Sequence, residues 1–271
     1  MKPEPKRAFP VNQDKINHYG DELFTALRNQ RTLAPLTERE PHITIEDAYQ
    51  ISLRMVHRRV EDGETIIGKK IGVSSKVVQE MLNVHQPDFG YLTSSMAYEN
   101  HANMPISREL IQPRAEGELA FKLKKDLIGP NVTPEDVLAA TEYVTPCFEV
   151  VDSRIENWKI KIQDTVADNA SCGLYVLGDD RVDPTGLDLA KPEMVVRKNG
   201  EVISRGFGSA ALGNPLICVA WLANTLSTFG VSLEAGETIL SGSWVPLEPV
   251  TAGDTMSLEI EGIGAASVNF T

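Results

Sequence analysis

Hydrophobic residues follow a helical period in the first quarter of the chain. Over residues 14–30 the apolar positions I-x-x-x-x-x-x-L-F-x-x-L have the spacing of one helix face. A second helix is predicted over 44–60. Its start, T-I-E-D from Thr44, is a capping box, in which the first and fourth side chains bond to each other's backbone N–H. The pattern therefore predicts a helical N-terminal lobe over residues 1–64.

A period of two, which is typical of β-strands, prevails from residue 65 onward. Helices are still predicted at 75–83, 133–140 and 215–229. Together these elements predict an α+β protein, whose β-rich body over 65–271 forms one continuous domain with the lobe. The predicted strands are 65–73, 118–124, 143–153, a hairpin around Asn199-Gly200, and the C-terminal stretches TILSGS, TMSLEI and ASVNF.

One of these strands contains a proline. Pro146 lies within the stretch YVTPCFEVVDS. Because proline has no N–H to donate to a neighbouring strand, it predicts an edge strand or a bulge at this position.

The net charge, the length of the apolar runs and the number of cysteines argue against several classes of protein. It has 26 Lys and Arg against 38 Asp and Glu, a net charge of −12 without a basic block, which argues against binding to nucleic acid. Its apolar runs stay short of the roughly 20 residues that span a membrane, and its start lacks the apolar region of a signal peptide. Three cysteines are too few for a disulfide framework or a zinc cluster. We expect a soluble, cytoplasmic protein with no nucleic-acid or membrane partner.

Two acidic residues at a spacing of two give the strongest chemical signal. Glu116 and Glu118, in the sequence R-A-E-G-E, would point to the same face of a strand, about 6.6 Å apart at the backbone. A third acid, Glu149, has apolar neighbours in its own strand. Carboxylate ligands select hard ions such as Mg²⁺ or Mn²⁺. The spacing leaves two interpretations open, a metal site or a solvated strand face.

Other polar residues lie in apolar surroundings. Lys69 and Lys70 must point to opposite faces of their strand, so one of them faces isoleucines, where a lysine can act as an acid, a base or an anion clamp. The alternative is an edge-strand lysine that prevents aggregation. Asp88 and the polar run 164–171, which ends at Ser171, are further candidates, for which turn and capping roles are the alternatives.

Several motifs in the same order resemble those of a known family. They are IIGKKIGV, HQPDFGYL, IQPRAEGELAF, CFEVVDSRIENWKIKIQDTVADNASCG, AALGNP and ILSGSWVPLEPV. From about residue 14 to the end, the chain is similar to the hydratase/decarboxylase branch of the fumarylacetoacetate hydrolase superfamily. The resemblance implies mixed β-sheets rolled into a sandwich, with a helical N-terminal portion.

The resemblance also implies roles for individual residues. It implies a divalent metal, Mg²⁺ or Mn²⁺, held by Glu116, Glu118 and Glu149. Lys70 would be the lysine at the active centre, and Ser171 would contact the substrate carboxylate. Asp88 would be an acid near the pocket. The family more often has G-L-K-M-G where this chain has G-K-K-I-G.

The implied activity is that of a hydro-lyase in the meta-cleavage degradation of aromatic compounds. It would add water to 2-hydroxypenta-2,4-dienoate and form 4-hydroxy-2-oxopentanoate. The first alternative is decarboxylation of 4-oxalocrotonate, and the second is a non-catalytic subunit that stabilises a partner decarboxylase. The resemblance further implies a homo-oligomer, with a possible complex with 4-oxalocrotonate decarboxylase.

Overall fold

The N-terminal helices of the computed structural model pack against each other and against the β-rich body. The structure describes residues 11–75, 79–80 and 86–271. Both long helices that the sequence predicts in the lobe are confirmed. The helices are α1 Gln13–Arg28, α2 Leu36–Arg39, α3 Ile45–Glu61, α4 Ile106–Glu109, α5 Pro134–Ala140, α6 Ile162–Ala167 and α7 Pro215–Ser227.

Helix starts follow the capping sequences. Thr44 Oγ1 accepts a hydrogen bond from the Asp47 N–H at 3.1 Å, and the Asp47 carboxylate accepts from the Thr44 N–H at 3.0 Å. The same reciprocal pair forms between Thr133 and Asp136 at the start of α5. Each pair satisfies N–H groups that have no partner within the helix. The helix predicted over 75–83 lies largely outside the described residues.

Two sheets form the body of the protein. The larger has the order β2-β1-β10-β5-β6-β7-β3, with β11 also paired to β5, and the smaller has the order β4-β13-β12-β8-β9. Strands β12 and β13 pack on β6, so the sheets form the two layers of a sandwich. The strands are β1 Ile66–Gly72, β2 Asp88–Thr93, β3 Ala97–Tyr98, β4 Ala102–Met104, β5 Arg114–Leu123, β6 Thr141–Val151, β7 Leu174–Leu177, β8 Glu193–Lys198, β9 Glu201–Phe207, β10 Thr238–Leu240, β11 Glu248–Pro249, β12 Thr255–Ile260 and β13 Gly264–Phe270.

The prediction that Pro146 marks an edge or a bulge is wrong. Pro146 pairs in regular register with Leu119, in the interior of the larger sheet. Its carbonyl accepts a hydrogen bond from the Gly178 N–H at 2.8 Å. The Thr145 hydroxyl donates to the Gly178 carbonyl at 3.1 Å, which replaces the N–H that proline lacks. A neighbouring side chain thus allows a proline inside the sheet.

The apolar helix α7 belongs to a segment longer than the sequence led us to expect, since apolar runs were expected to be shorter than a membrane span. The helical run Gly208–Ser227 has 20 residues and a mean hydropathy of 1.2, which is long and apolar enough to cross a membrane. Eight of the α7 residues are buried, and the helix packs against α5 and β1. Helices in the core of folded proteins can be equally long and apolar, so these two properties are weak evidence that this segment spans a membrane.

The lobe and the body share contacts. Thr37, in α2, donates its N–H and its hydroxyl to the Asp164 carboxylate, at 3.0 and 2.8 Å. A single cluster of buried apolar residues extends from α1 to β13. The boundary between residues 64 and 65 stays a prediction.

Candidate active site

Strand pairing brings the three glutamates together. Glu116 on β5 lies directly opposite Glu149 on β6, and Glu118 lies two residues further along β5. Directly paired residues share a face of a sheet, as do residues two apart on one strand. All three side chains therefore project from one face, and a carboxylate oxygen of each lies within 4.8 Å of the others.

Hydrogen bonds within the protein leave this cluster unsatisfied. Glu118 Oε2 accepts from the Gly242 N–H at 2.8 Å, but Glu118 Oε1 and both Glu149 oxygens have no hydrogen-bond partner in the described part of the chain. Burial and the neighbouring Glu149 carboxylate raise the pKa of Glu116 to about 8. The same causes raise the pKa of Glu118. Buried acids that lack partners in this way indicate a site for a cation.

A buried lysine on β1 contacts the glutamate cluster. Lys70 Nζ lies 3.0 Å from Glu149 Oε1, in ion-pair contact without hydrogen-bond geometry, and its side chain is buried. Burial lowers the pKa of Lys70, but the Glu149 carboxylate outweighs it and raises that pKa. Strands β10 and β5 separate β1 from β6, a distance of about 14 Å in a flat sheet. The sheet must therefore curl to bring these side chains into contact.

The two lysines of β1 point to opposite faces, as their alternation predicts. Lys69 forms a buried ion pair with Glu237, away from the glutamate cluster. The alternative of an edge-strand lysine is wrong for both residues, because β1 lies between β2 and β10.

Asp88 adjoins Lys70 across the β1–β2 pair. A Cβ added at Gly72 would collide with Asp88 Oδ1 and would lie 3.3 Å from Lys70 Nζ, so the bare glycine makes room for both groups. The Asp88 side chain is buried, and both of its oxygens lack a hydrogen-bond partner among the described residues. Burial raises the pKa of Asp88 to about 6 although Lys70 opposes the shift.

Ser171 lies in a turn that covers the face carrying Lys70. Gly90 pairs with Lys70, and a Cβ at Gly90 would lie 2.5 Å from the Asn169 carbonyl oxygen. The Ser171 hydroxyl itself is 3.1 Å from Thr165 Oγ1. The structure thus brings together the glutamates, Lys70 and Asp88, and it places the turn that carries Ser171 over the same face.

Sequence reasoning missed two participants. Cys172 is one of them: its thiol is buried, and burial together with the neighbouring Glu149 carboxylate raises its pKa to about 12. Arg154, which follows the stretch FEVVDS, is fully buried and binds the turn that contains Ser171. Asp152 and Ser153 separate it from β6, so its local sequence does not single it out. Asp168, for which the sequence offers a turn or capping role, instead forms a buried ion pair with Arg154.

Comparison with known proteins identifies the family. The family described as "Fumarylacetoacetate (FAA) hydrolase C-terminal" matches residues 63–271. The chain is 61% identical to a 2-hydroxyhexa-2,4-dienoate hydratase of Comamonas testosteroni, over 94% of this chain and 97% of that relative. It is 65% identical to a 2-hydroxypent-2,4-dienoate hydratase of Pseudomonas putida, over 82% of this chain and 100% of that relative.

A solved structure has nearly the same fold. It is 4-oxalocrotonate decarboxylase from Pseudomonas putida G7 complexed with magnesium and adipate. The TM-score is 0.94 at 32% sequence identity, and the match covers 97% of this chain and 100% of that one. The predicted α+β sandwich with a helical N-terminal portion is confirmed.

Proposed function

The chain belongs to the fumarylacetoacetate hydrolase family, and on this premise we propose that it is a hydro-lyase. It adds water to 2-hydroxypenta-2,4-dienoate and forms 4-hydroxy-2-oxopentanoate, in the cytoplasmic meta-cleavage degradation of aromatic compounds. The observation that carries this proposal is the identity of 61% and 65% to two hydratases, of which the chain covers 97% and 100%.

The donor set fits a hard divalent ion, and we propose Mg²⁺ or Mn²⁺ bound by Glu116, Glu118 and Glu149. Unpartnered carboxylate oxygens on Glu118 and Glu149 support this assignment. The formal charges of three carboxylates, a divalent ion and Lys70 sum to zero, so an anionic substrate is not repelled locally although the chain carries −12. When bound, the ion would polarise the C1 carboxylate and the C2 oxygen of the substrate.

Lys70 and Asp88 are the proposed proton-transfer groups. The C2 hydroxyl of the substrate must lose a proton and C5 must gain one, which gives the 2-oxo-3-enoate. Water must then lose a proton as it adds at C4, and C3 must gain one. Lys70 and Asp88 lie side by side, buried and next to the glutamates, and the two carry a proton donor and an acceptor between them. Ser171 is the proposed contact to the substrate carboxylate, since its turn covers the same face.

Decarboxylation of 4-oxalocrotonate is the second candidate, because the fold match to that decarboxylase has a TM-score of 0.94. The hydratase relatives are closer in sequence, at 61% and 65% against 32%. A purely non-catalytic subunit has no need to retain mutually repelling buried acids. The homo-oligomer and the complex with a decarboxylase remain predictions.

Product analysis tests the assignment. Purified protein is supplied with Mg²⁺ and, separately, with 2-hydroxypenta-2,4-dienoate or 4-oxalocrotonate, and NMR identifies the products. We expect 4-hydroxy-2-oxopentanoate from the dienoate. If the dienoate is unchanged while 4-oxalocrotonate loses CO₂, the hydratase proposal is wrong.

A further inference from the structure

Arg154 is a buried cation that the proposed chemistry does not use. It is fully buried, and each of its side-chain nitrogens donates a hydrogen bond. Nη1 donates to the Cys172 carbonyl at 2.9 Å, and Nη2 donates to the Asp168 carbonyl at 2.6 Å. These two carbonyls flank the turn 169–171, so one guanidinium binds both ends of that turn.

The turn has an unfavourable backbone conformation. Asn169, Ala170 and Ser171 have φ values of 53°, 52° and 51°, which is left-handed backbone at three successive residues. Left-handed conformation costs about 1–2 kcal/mol for each residue with a side chain, and Asn tolerates it better than Ala or Ser. Such a turn persists only where its surroundings hold it, and residues of this kind cluster at functional sites.

Two more contacts hold the turn. The Asp168 carboxylate binds the Arg154 guanidinium at Nε and the Arg154 backbone N–H, the latter at 2.8 Å. The Ser171 carbonyl accepts from the Asp152 N–H at 2.8 Å. The Asp152 carboxylate in turn accepts from the Gln112 N–H at 2.7 Å, just before the strand that carries Glu116. The turn is therefore fixed to the ends of both strands that bear the glutamates.

We propose that Arg154 and Asp168 are positioning residues, which hold the left-handed turn 169–171 over the Lys70 face and so place the Ser171 hydroxyl for the substrate carboxylate. This inference rests on the proposed function, because it assigns the turn to substrate binding. Neither residue touches the reacting atoms. Their removal should weaken substrate binding and should leave the glutamates and their metal affinity intact.

Ala170→Gly and Asp168→Asn test the proposal. Glycine adopts φ near +50° without strain, so Ala170→Gly should fold with little change in Tm while the turn becomes more mobile. We expect KM for the dienoate to rise about fivefold in Ala170→Gly and about tenfold or more in Asp168→Asn. The kcat and the Mg²⁺ affinity, measured by calorimetry, should change less than twofold.

Two variants elsewhere serve as matched controls. Asn131 also has a left-handed backbone, with φ 78°, but is exposed, so Asn131→Gly controls for the glycine. Glu237 pairs with the buried Lys69 on the face of β1 opposite Lys70, so Glu237→Gln controls for the loss of a buried ion pair. Both should leave KM unchanged.

Hydrogen–deuterium exchange gives a second readout that needs no activity. In Asp168→Asn the amides of residues 169–173 should exchange faster, and in Asn131→Gly they should not. An unchanged KM in folded Ala170→Gly and Asp168→Asn, with wild-type hydration intact, overturns the positioning role. Unchanged exchange in Asp168→Asn also overturns it. Absence of hydration by the wild type contradicts the proposed function alone, because the exchange result does not depend on it.

Discussion

Two groups of buried charges differ in how fully they are hydrogen-bonded: the glutamate cluster on β5 and β6, and the Arg154–Asp168 pair, whose members follow β6 and α6. In the first group, Glu118 Oε1 and both Glu149 oxygens have no hydrogen-bond partner among the described residues. In the second, Arg154 donates from each side-chain nitrogen, and both Asp168 oxygens accept. Glu149, Arg154 and Asp168 are all 0% exposed, so burial alone does not separate the groups.

The difference separates a binding site from a structural support. Buried polar groups are normally satisfied, because an unpaired one loses its hydration without compensation. The Arg154–Asp168 pair meets that requirement within the chain. The glutamate cluster does not, which indicates that a ligand from outside completes it.

Loss of the metal should have the largest effect of any change. Exhaustive EDTA treatment should abolish turnover, and Mg²⁺ or Mn²⁺ should restore it. Glu118→Gln removes a ligand charge and keeps the shape, so it should lower metal affinity by on the order of 10²-fold or more, measured by calorimetry. Glu142→Gln, at the exposed end of the strand that carries Glu149, is the control and should have no effect. Full activity of metal-free protein would contradict the three-glutamate site.

The lysines of β1 extend the comparison, since Lys70 contacts the glutamate cluster and Lys69 forms a separate buried ion pair with Glu237. Lys70→Met should lower kcat by about 10²–10⁴-fold, because it removes a proposed proton-transfer group. Lys69→Met leaves Glu237 buried without its partner and should instead destabilise the fold by about 3–5 kcal/mol, with kcat of the folded protein nearly unchanged. Steady-state kinetics and urea unfolding distinguish the two. Equal losses of kcat in both variants would contradict the assignment.

Glu64 forms a further buried ion pair with Arg59, and its hydrogen bonds are satisfied. Burial raises its pKa, but Arg59 and the Thr93 hydroxyl outweigh this and lower the pKa to about 2, from an ordinary value of 4.5. Because the folded-state pKa is depressed, this group contributes stability above about pH 4.5, and the contribution is lost as the pH falls towards 2.

Glu64→Gln should therefore destabilise the protein at pH 7 by about 3 kcal/mol, since Arg59 stays buried without its partner. Urea unfolding at pH 7 and pH 3 measures the effect. We expect the difference from wild type to shrink at the lower pH, where the wild-type carboxyl begins to protonate. A difference that does not depend on pH would show that the glutamate charge is not the cause.

Local sequence rules predicted much of the site. The period of two placed Glu116 and Glu118 on one face and separated Lys69 from Lys70, because both facts depend only on strand geometry. The capping box at Thr44 likewise located the start of α3. Each of these features is determined by residues within four positions of each other.

Features that depend on contacts between residues far apart in the chain could not be predicted from local sequence. The register that sets Glu149 opposite Glu116 joins strands 33 residues apart, and the contact of Lys70 with Glu149 requires the sheet to curl. The left-handed conformation of Ala170 runs against its local preference and exists because Arg154 holds the turn. In each case tertiary contacts determine the geometry.

The preference for hydration over decarboxylation is the smallest predicted effect. It depends on whether the site has a cation that is not already paired with a carboxylate. The described part of the chain has four buried Lys and Arg residues, and each is already paired with a carboxylate: Arg59, Lys69, Lys70 and Arg154. On the face of the glutamates, Arg114 is half-buried and stacks on Trp158, with 4.8 Å between the guanidinium carbon and the ring centroid. The second carboxylate of 4-oxalocrotonate therefore has no buried clamp among these residues, and burial of an unpaired charge costs several kcal/mol.

Hydration of 2-hydroxypenta-2,4-dienoate should accordingly exceed decarboxylation of 4-oxalocrotonate at least tenfold in kcat/KM, a difference of about 1.4 kcal/mol. Product formation from each substrate with Mg²⁺, followed by NMR, measures the ratio. Arg114→Gln sharpens the test, because Arg114 lies two residues from Glu116 on the same face of β5 and its loss should reduce decarboxylation more than hydration. Arg181→Gln removes the same charge from a similar stack on Tyr143, which lies about 20 Å from Glu149 along β6, and should change neither rate. Release of CO₂ at comparable or higher efficiency would overturn the hydratase assignment but would leave the fold and the glutamate cluster unchanged.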